Sequence, residues 1–390
     1  PLDGKRPHLV LDANGGDVVV ANARAGAVNL QLGVGRTLTV NGGTVGSADD
    51  RATVNAPGLG TGGDGTLILA GATLHAAMDS YARRIEVRDG GVLAHYGRLN
   101  VPASATAADP ATLHVDGGTL RAVWPAGGYW PIELPHASNA ARQRITVGTG
   151  GAHFDVVRDN TEYSLVVAAP VSGSGRVEKT GCANLEFRHP FDIAGDFHLR
   201  EGGLVCAVLE DSAALLGSGD FILGNGWLDL GSYGHACGLA TGTGSSFRYR
   251  NCGSVVVNGG QAAAHVTVGS AGRAAFVREA KGSVLSFCSK SPADSLDGSG
   301  AKVTVAGTVE TTRGGFLKQP IFALSAATDR YALDFLRIDE KGRLVNAAVL
   351  YRTVAEASSD DVVNVTAATT LAGNAACGGP RVQSAALTVP

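Results

Sequence analysis

The sequence has few charged and few aromatic residues, and it lacks any long hydrophobic run. Charged residues make up 17 % of the 390 positions and aromatic residues 6 %. Disordered chains combine low hydrophobicity with a high net charge, whereas this chain is 44 % hydrophobic with a formal net charge of −3. Without a basic excess we expect no nucleic-acid partner. Without a run of about 18 apolar residues we expect no membrane insertion.

Spacings typical of metal and redox sites are also missing. The six cysteines form no Cys-x-x-Cys pair, which argues against a zinc ribbon or a thioredoxin-type site. The ten histidines show no His-Glu-x-x-His or His-x-x-x-His spacing, so zinc chemistry has no support. The sequence therefore predicts a protein that is not an enzyme and that has no cofactor, no metal and no catalytic residues.

Glycine, in contrast, is abundant, with 55 of the 390 residues. Many glycines follow short stretches in which apolar and polar residues alternate, as in a strand with one buried face. Five copies of this strand–bend–strand unit begin at Thr66, Arg84, Leu113, Ile145 and Phe197. Self-similarity at such a spacing predicts a solenoid, in which each coil buries its apolar face against its neighbours.

Helical periodicity is nearly absent, so the predicted fold class is all-β: a parallel β-helix (β-solenoid) with inserted loops. Residues 207–216 and 331–340 come nearest to a helical pattern, although 331–339 also alternates like a strand. We expect a single continuous solenoid segment over 1–390, as part of a longer chain or assembly; two packed sheets are the alternative fold. The residues predicted to point into the core are Val255, Val257, Val266 and Leu285.

Residues 171–206 carry the clearest motif. They contain Ser172-Gly173-Ser174-Gly175, then Lys179-Thr180-Gly181, and then Glu201-Gly202-Gly203-Leu204. In order and approximate spacing, these elements resemble the autotransporter-associated β-strand repeat of bacterial surface proteins. Residues 361–373 look like the opening of another such block.

The resemblance has consequences for fold and location. It implies a right-handed parallel β-helix that is exported and exposed at the cell surface. Two stretches depart from the repeat, namely Cys182-Ala183 and His189-Pro190-Phe191, and both bear on local turn geometry.

Aromatic and proline residues are concentrated within 121–144, which interrupts the repeat and is predicted to be an inserted loop. Trp124, Tyr129 and Trp130 are the candidate contacts to a glycan or a protein partner, because flat rings stack on sugars and anchor interfaces. The alternative is that the loop folds its tryptophans back onto the solenoid wall.

Two further sets of side chains are candidates for cross-coil contacts. Cys182 and Cys206 lie about one coil apart and are a candidate disulfide in an exported protein. They occupy different points of the motif, so buried thiols are the alternative. The ten histidines are expected to be scattered over strands and loops. The alternative is that His75, His114 and His198, which fall in or beside repeated strands, stack in one column.

Together these patterns predict a non-enzymatic structural or adhesive β-helical rod of a bacterial cell surface or extracellular assembly. Its expected partners are protein subunits of that assembly, further segments of the same chain, and glycans. One alternative is a carbohydrate-active β-helix enzyme, a polysaccharide lyase or hydrolase, with clustered charges beside an aromatic ring on adjacent coils. Another is a trimeric fibre or spike.

Overall fold

A computed structural model shows a chain built almost entirely of β-strands. It describes residues 9–12, 16–25, 28–47, 51, 53–54, 64–76, 80–97, 99–124, 131–157, 164–231, 233–258, 264–289, 302–311, 315–327, 330–346, 362–365, 369–370, 379–382 and 387–388. The chain forms two compact units, Pro1–Leu209 with Ala214–Ile222, and Glu210–Ala213 with Leu223–Pro390. Within the described ranges the single helix is a 3₁₀ helix, Ala137–Arg142, and none is long and apolar enough to cross a membrane.

The strands up to residue 206 are short. In chain order they are β1 (Leu9–Asp12), β2 (Val18–Ala25), β3 (Val28–Gln31), β4 (Thr37–Val45), β5 (Thr53–Val54), β6 (Thr66–Ala70), β7 (Thr73–Ala76), β8 (Ser80–Tyr81), β9 (Arg84–Arg88), β10 (Val92–His95), β11 (Leu99–Asn100), β12 (Ala111–Asp116), β13 (Gly118–Val123), β14 (Ile132–Leu134), β15 (Gln143–Val147), β16 (Ala152–Val157), β17 (Ser164–Val167), β18 (Val171–Gly173), β19 (Val177–Thr180), β20 (Asn184–Phe187), β21 (Phe191–Ile193) and β22 (Phe197–Cys206).

The strands beyond residue 220 follow the same style. They are β23 (Phe221–Asp229), β24 (Ala236–Leu239), β25 (Phe247–Tyr249), β26 (Cys252–Asn258), β27 (His265–Val268), β28 (Phe276–Arg278), β29 (Val284–Ser289), β30 (Lys302–Val305), β31 (Ile321–Ala327), β32 (Arg330–Ile338), β33 (Arg343–Asn346), β34 (Val362–Val365), β35 (Thr369–Thr370), β36 (Gly379–Val382) and β37 (Leu387–Thr388).

In the described part of the first unit, parallel strands stack into three ladders of four or more strands, besides the two short parallel sheets β1–β3–β5 and β8–β11. The first ladder runs through β4, β6, β9, β12, β15, β18 and β21. Its aligned positions form a buried apolar column consisting of Leu38, Leu67, Ile85, Leu113, Ile145, Val171 and Phe191. Each coil thus buries its inward residues against the coils before and after it, which confirms the predicted all-β parallel β-solenoid and disfavours two packed sheets.

The repeat copies are in register for the first four members but not for the fifth. Thr66 pairs with Arg84, Leu113 pairs with Ile85, and Ile145 pairs with Leu113. Phe197, however, pairs with Val177 in the second ladder, so its assignment as an equivalent copy was wrong. Both ladders alternate apolar and polar residues before a glycine bend, and the sequence pattern does not distinguish them.

The second and third ladders complete each coil. The second ladder contains β7, β10, β13, β16, β19 and the first part of β22. The third contains β14, β17, β20 and the last part of β22. β22 therefore bends from one ladder into the next, at Glu201-Gly202-Gly203.

Glycine is required where the bends of successive coils stack on each other. A Cβ atom on Gly175 would lie 1.9 Å from the carbonyl oxygen of Gly148, and one on Gly118 would lie 2.4 Å from that of Val87. These distances are far inside van der Waals contact, so only glycine allows the backbones to approach this closely. The high glycine content thus follows from the stacking of corners.

The second unit also contains stacked parallel strands, with β26, β29 and β31 in one ladder and β24, β27 and β30 in another. Parallel pairing then gives way to antiparallel pairing of β31 with β32 and of β33 with both β32 and β30. Residues 331–338 are thus strand, in keeping with their alternation. The four predicted core residues are all buried, which confirms that prediction: Val255, Val257, Val266 and Leu285.

The predicted loop at 121–144 needs correction. Residues 121–123 belong to β13, and β14 pairs in parallel with β17. All three side chains of β14, Ile132–Leu134, are buried. This strand is too short for a periodic pattern, and the prolines on either side of it resemble loop punctuation. The prediction of one continuous solenoid over 1–390 remains a prediction.

Candidate functional site

The predicted aromatic contact surface is only partly described. Trp124 is half-buried and directly follows the last residue of β13. Tyr129 and Trp130 lie outside the described residues. The role of these three residues in binding a glycan or partner therefore remains a prediction.

Cys182 and Cys206, both within the described residues, are reduced thiols, with Cys182 exposed and Cys206 buried. The register explains why the proposed disulfide is absent. Cys206 pairs with Phe187 across the third ladder, whereas Cys182 lies in the turn before β20. The three residue-to-residue steps of strand from Asn184 to Phe187 span about 10 Å. The two cysteines lie near opposite ends of this strand, whereas the Cα atoms of a disulfide are roughly 4.4–6.8 Å apart.

The three histidines of the alternative column, His75, His114 and His198, lie in different places. His114 is on β12 of the first ladder, opposite Glu86 and Thr146. His75 and His198 are both on the second ladder, but His75 aligns with Ala94 and His198 aligns with Glu178. The alternative of a histidine column is therefore wrong, because the register places these strands in two ladders and at two positions.

The outward side of the second ladder carries a continuous set of polar side chains, which we call the polar face. One column runs Thr119, His153, Glu178 and His198, and the adjacent column runs Arg121, Asp155 and Thr180. They alternate with inward residues such as Leu120 and Phe154, which are buried. Strand alternation alone therefore explains why polar groups from successive coils meet on this side.

Side-chain contacts on the polar face join three successive coils. His153 Nε2 lies 2.6 Å from Thr180 Oγ1, and Thr180 Oγ1 donates to Asp155 Oδ1 at 3.2 Å. Because the single hydroxyl hydrogen of Thr180 is used toward Asp155, Nε2 is the donor of the histidine ring. Arg121 Nε donates to Asp155 Oδ2 at 2.7 Å. Asp155 is thus held through both of its oxygens.

Glu178 is the centre of a second cluster on the same face. Arg200 Nε lies 2.9 Å from Glu178 Oε1, whereas Arg176 Nη2 and His198 Nδ1 each lie 3.8 Å from Glu178 Oε2. The Glu178 side chain is only 17 % exposed. The two longer separations exceed hydrogen-bond distance, so Oε2 keeps acceptor capacity.

An open pocket of about 240 Å³ lies beside this cluster. The side chains of Thr119, His153, Arg176 and Glu178 line it, together with Ala152 and a glycine-rich stretch of backbone from two stacked corners: Gly117, Gly118, Gly150 and Gly151. A Cβ atom on Gly117 would meet nothing closer than 3.9 Å, whereas one on Gly118, Gly150 or Gly151 would lie within 3 Å of atoms in a neighbouring coil. The pocket is the candidate site of this chain.

Lys179 points in the opposite direction, into the core. It occupies the column between Phe154 and Leu199 and is fully buried. Its Nζ donates to the carbonyl oxygens of Gly181 at 2.6 Å, Ala183 at 2.6 Å and Glu201 at 2.8 Å. Burial lowers the pKa of Lys179 from 10.5 to about 8, opposed by Cys182, Glu201 and Asp155.

Neither the polar face nor the buried lysine was predicted from the sequence. The alternation of Val177-Glu178-Lys179-Thr180 contained the signal for Lys179, because an inward Val177 requires an inward Lys179 two residues later. The lysine closes the turn 181–183 and the bend of β22 from inside. It is part of the scaffold that positions Glu178.

Among the residues that the structure describes, no group of three or more His, Cys, Asp or Glu could hold a metal ion. Comparison with protein-family models gives no match, and neither the curated proteins nor the solved structures yield a significant match.

Proposed function

We propose that this chain is an exported, non-enzymatic β-helical element with a structural or adhesive role at a bacterial cell surface or in an extracellular assembly. The observation that carries the proposal is the set of contacts on the polar face. There the outward side chains of one coil bond to those of the next, as His153 does with Thr180 and Arg121 with Asp155. Such contacts serve the stacking of coils, which is what a load-bearing or display element requires.

Two further features support this proposal. The elements of 171–206 that resemble the surface-protein repeat have defined places in the coil, with Lys179 closing a turn from inside and Gly175 at a stacked corner. The side chains of Arg176 and Arg200 are 59 % and 50 % exposed, and an ion pair adds little stability at such arginines. Arg176 and Arg200 are therefore available for contacts outside the chain. Protein subunits, further segments of this chain and glycans are the proposed partners.

A carbohydrate-active enzyme is the second candidate, and one observation favours it. Glu178 and His153 both line the open pocket, and a carboxylate beside an imidazole can serve as an acid–base pair. Against it, Asp155, the other carboxylate of this face, is 9 % exposed and bonded through both oxygens to Arg121 and Thr180. A glycosidase normally needs two accessible carboxylates.

Two measurements test the proposed function. Antibodies against the purified chain should label intact cells of the source organism without permeabilisation; labelling only after lysis would contradict surface exposure. The purified chain should release no reducing or unsaturated ends from common polysaccharides. Release that is abolished in Glu178→Gln but retained in Glu210→Gln, an exposed carboxylate elsewhere on the chain, would favour the enzyme.

A further inference from the structure

We propose that the pocket beside Glu178 binds one ring of a neutral saccharide. The proposal rests on the adhesive role argued above and assigns that role a specific site. Pockets for drug-sized ligands span about 300–1,000 Å³, and this one measures about 240 Å³. Its size therefore suits a single small ring at the surface rather than an enclosed larger ligand.

The groups that line the pocket match the chemistry of hydroxyls. Each sugar hydroxyl both donates and accepts one or more hydrogen bonds, so a site for it must offer both functions. Glu178 offers an acceptor and Arg176 offers donors, whereas the ring nitrogens of His153 already contact Thr180 Oγ1 at 2.6 Å and Thr119 Oγ1 at 3.4 Å. A carboxylate and a guanidinium side by side are suited to a pair of neighbouring hydroxyls.

These groups also have unused capacity. Glu178 Oε2 and Arg176 Nη2 are 3.8 Å apart, and the Arg176 side chain is 59 % exposed. At this separation the pair forms an ion pair without a direct hydrogen bond. A hydroxyl placed between them can therefore accept from Arg176 and donate to Glu178 without displacing Arg200, which bonds to the other oxygen, Oε1.

Charge selects among saccharides. A carboxylate, sulfate or phosphate that entered the pocket would have to compete with Glu178 for Arg176, and it would lie against the like charge of the Glu178 carboxylate. We therefore expect neutral rings to bind and acidic ones to bind less well. This distinguishes the proposal from a general anion site formed by the nearby arginines.

A substitution that fills the pocket tests the site directly. Gly117 lines the pocket and has φ +74°, and a Cβ atom there would meet nothing closer than 3.9 Å. Asparagine tolerates this backbone conformation better than other side chains, so Gly117→Asn should fold and obstruct the pocket. Gly90 is the matched control: it has φ +78°, open space around its Cβ position, and no place in the pocket.

The experiment is saturation-transfer NMR, followed by titration, with the methyl glycosides of glucose, galactose, mannose, N-acetylglucosamine and glucuronic acid. At least one neutral glycoside should bind the wild-type chain. Its affinity should fall at least tenfold in Gly117→Asn and in Arg176→Ala, and stay within twofold in Gly90→Asn. Thermal melts check that each variant is folded. If Gly117→Asn does not fold, the affinity of Arg176→Ala for the glycoside is the deciding measurement.

Several results would overturn the proposal. They are the absence of transfer to every neutral glycoside, preferential binding of the glucuronide, or unchanged binding in folded Gly117→Asn and Arg176→Ala. Each of these results would contradict the saccharide site and leave the proposed surface role untouched. Surface labelling and the absence of polysaccharide turnover would still stand as separate tests of the proposed function.

Discussion

Replacing Lys179 with methionine is the sharpest test of how the coil is held together. Methionine is of similar length and apolar, so it fits a core column, but it has no donor for the three carbonyl groups that Nζ satisfies, those of Gly181, Ala183 and Glu201. The side chain is 0 % exposed. The contact with Ala183 is buried and those with Gly181 and Glu201 are part-buried, so all three carbonyls lose a strong hydrogen bond to a charged donor.

The expected magnitude is the difference between two opposing effects. A hydrogen bond to a charged group contributes about 1.5–3 kcal/mol, so the loss of three such bonds costs about 6 kcal/mol. Burial lowers the pKa of Lys179 from 10.5 to about 8, which at pH 7 corresponds to a penalty of about 3 kcal/mol on the charged lysine. Methionine removes that penalty. Lys179→Met should therefore destabilise the first unit by about 3 kcal/mol at pH 7.

The pH dependence has a definite sign. Between pH 8 and 10.5 the folded lysine has lost its proton while the unfolded lysine still holds it. The unfolded state then binds more protons, so the free energy of unfolding rises with pH. By pH 9.5 the wild-type chain should have gained about 2 kcal/mol from this group. Lys179→Met lacks that gain, so the gap between the two should widen to about 5 kcal/mol.

The assay is urea denaturation followed by circular dichroism at pH 7 and pH 9.5. The control is Lys302→Met, which removes the same charge from an exposed position on β30; it should change stability by less than about 0.5 kcal/mol at both pH values. A Lys179→Met variant as stable as the wild type at pH 7, or a gap that stays constant with pH, would refute the reasoning.

Two further substitutions test the core and the corners. Val257→Asp places a charge in a fully buried position and should lower the free energy of unfolding by several kcal/mol. The control is Val256→Asp, on the half-buried outward side of the same strand, which should lower it by less than about 1 kcal/mol. Equal melting temperatures of the two variants would show that the inward assignment of Val257 is wrong. Gly175→Ala puts a Cβ atom 1.9 Å from a carbonyl oxygen and should cost at least about 2 kcal/mol, while Gly16→Ala, with nothing within 4 Å, should be neutral by the same denaturation assay.

The residues of the polar face and its pocket were harder to predict than the fold, because the register between coils decides which side chains are neighbours. Strand alternation correctly predicted that Val255 and Val257 point inward, since that property belongs to each strand alone. The same alternation is sufficient to place His153 and Glu178 on the outward side of their strands, although neither was predicted as a site residue. Their position beside Arg176 and a glycine corner depends on which coils stack on each other. The sequence does not reveal this, because the residues that pair between coils are separated by very unequal lengths of chain.

The number of residues between register partners is the property that the sequence alone could not supply. Register partners are 18 residues apart between Leu67 and Ile85 and 32 apart between Leu113 and Ile145, because insertions of different length leave the coil and return to it. By itself the sequence determined the all-β class, the parallel solenoid, the buried face of each strand and the need for glycine at the bends. Only the tertiary structure decided that Phe197 stacks on Val177, that Cys206 pairs with Phe187 and that Lys179 donates hydrogen bonds to three carbonyl groups. Alternation reports which way a side chain points, but the neighbour it meets is set by where the chain returns.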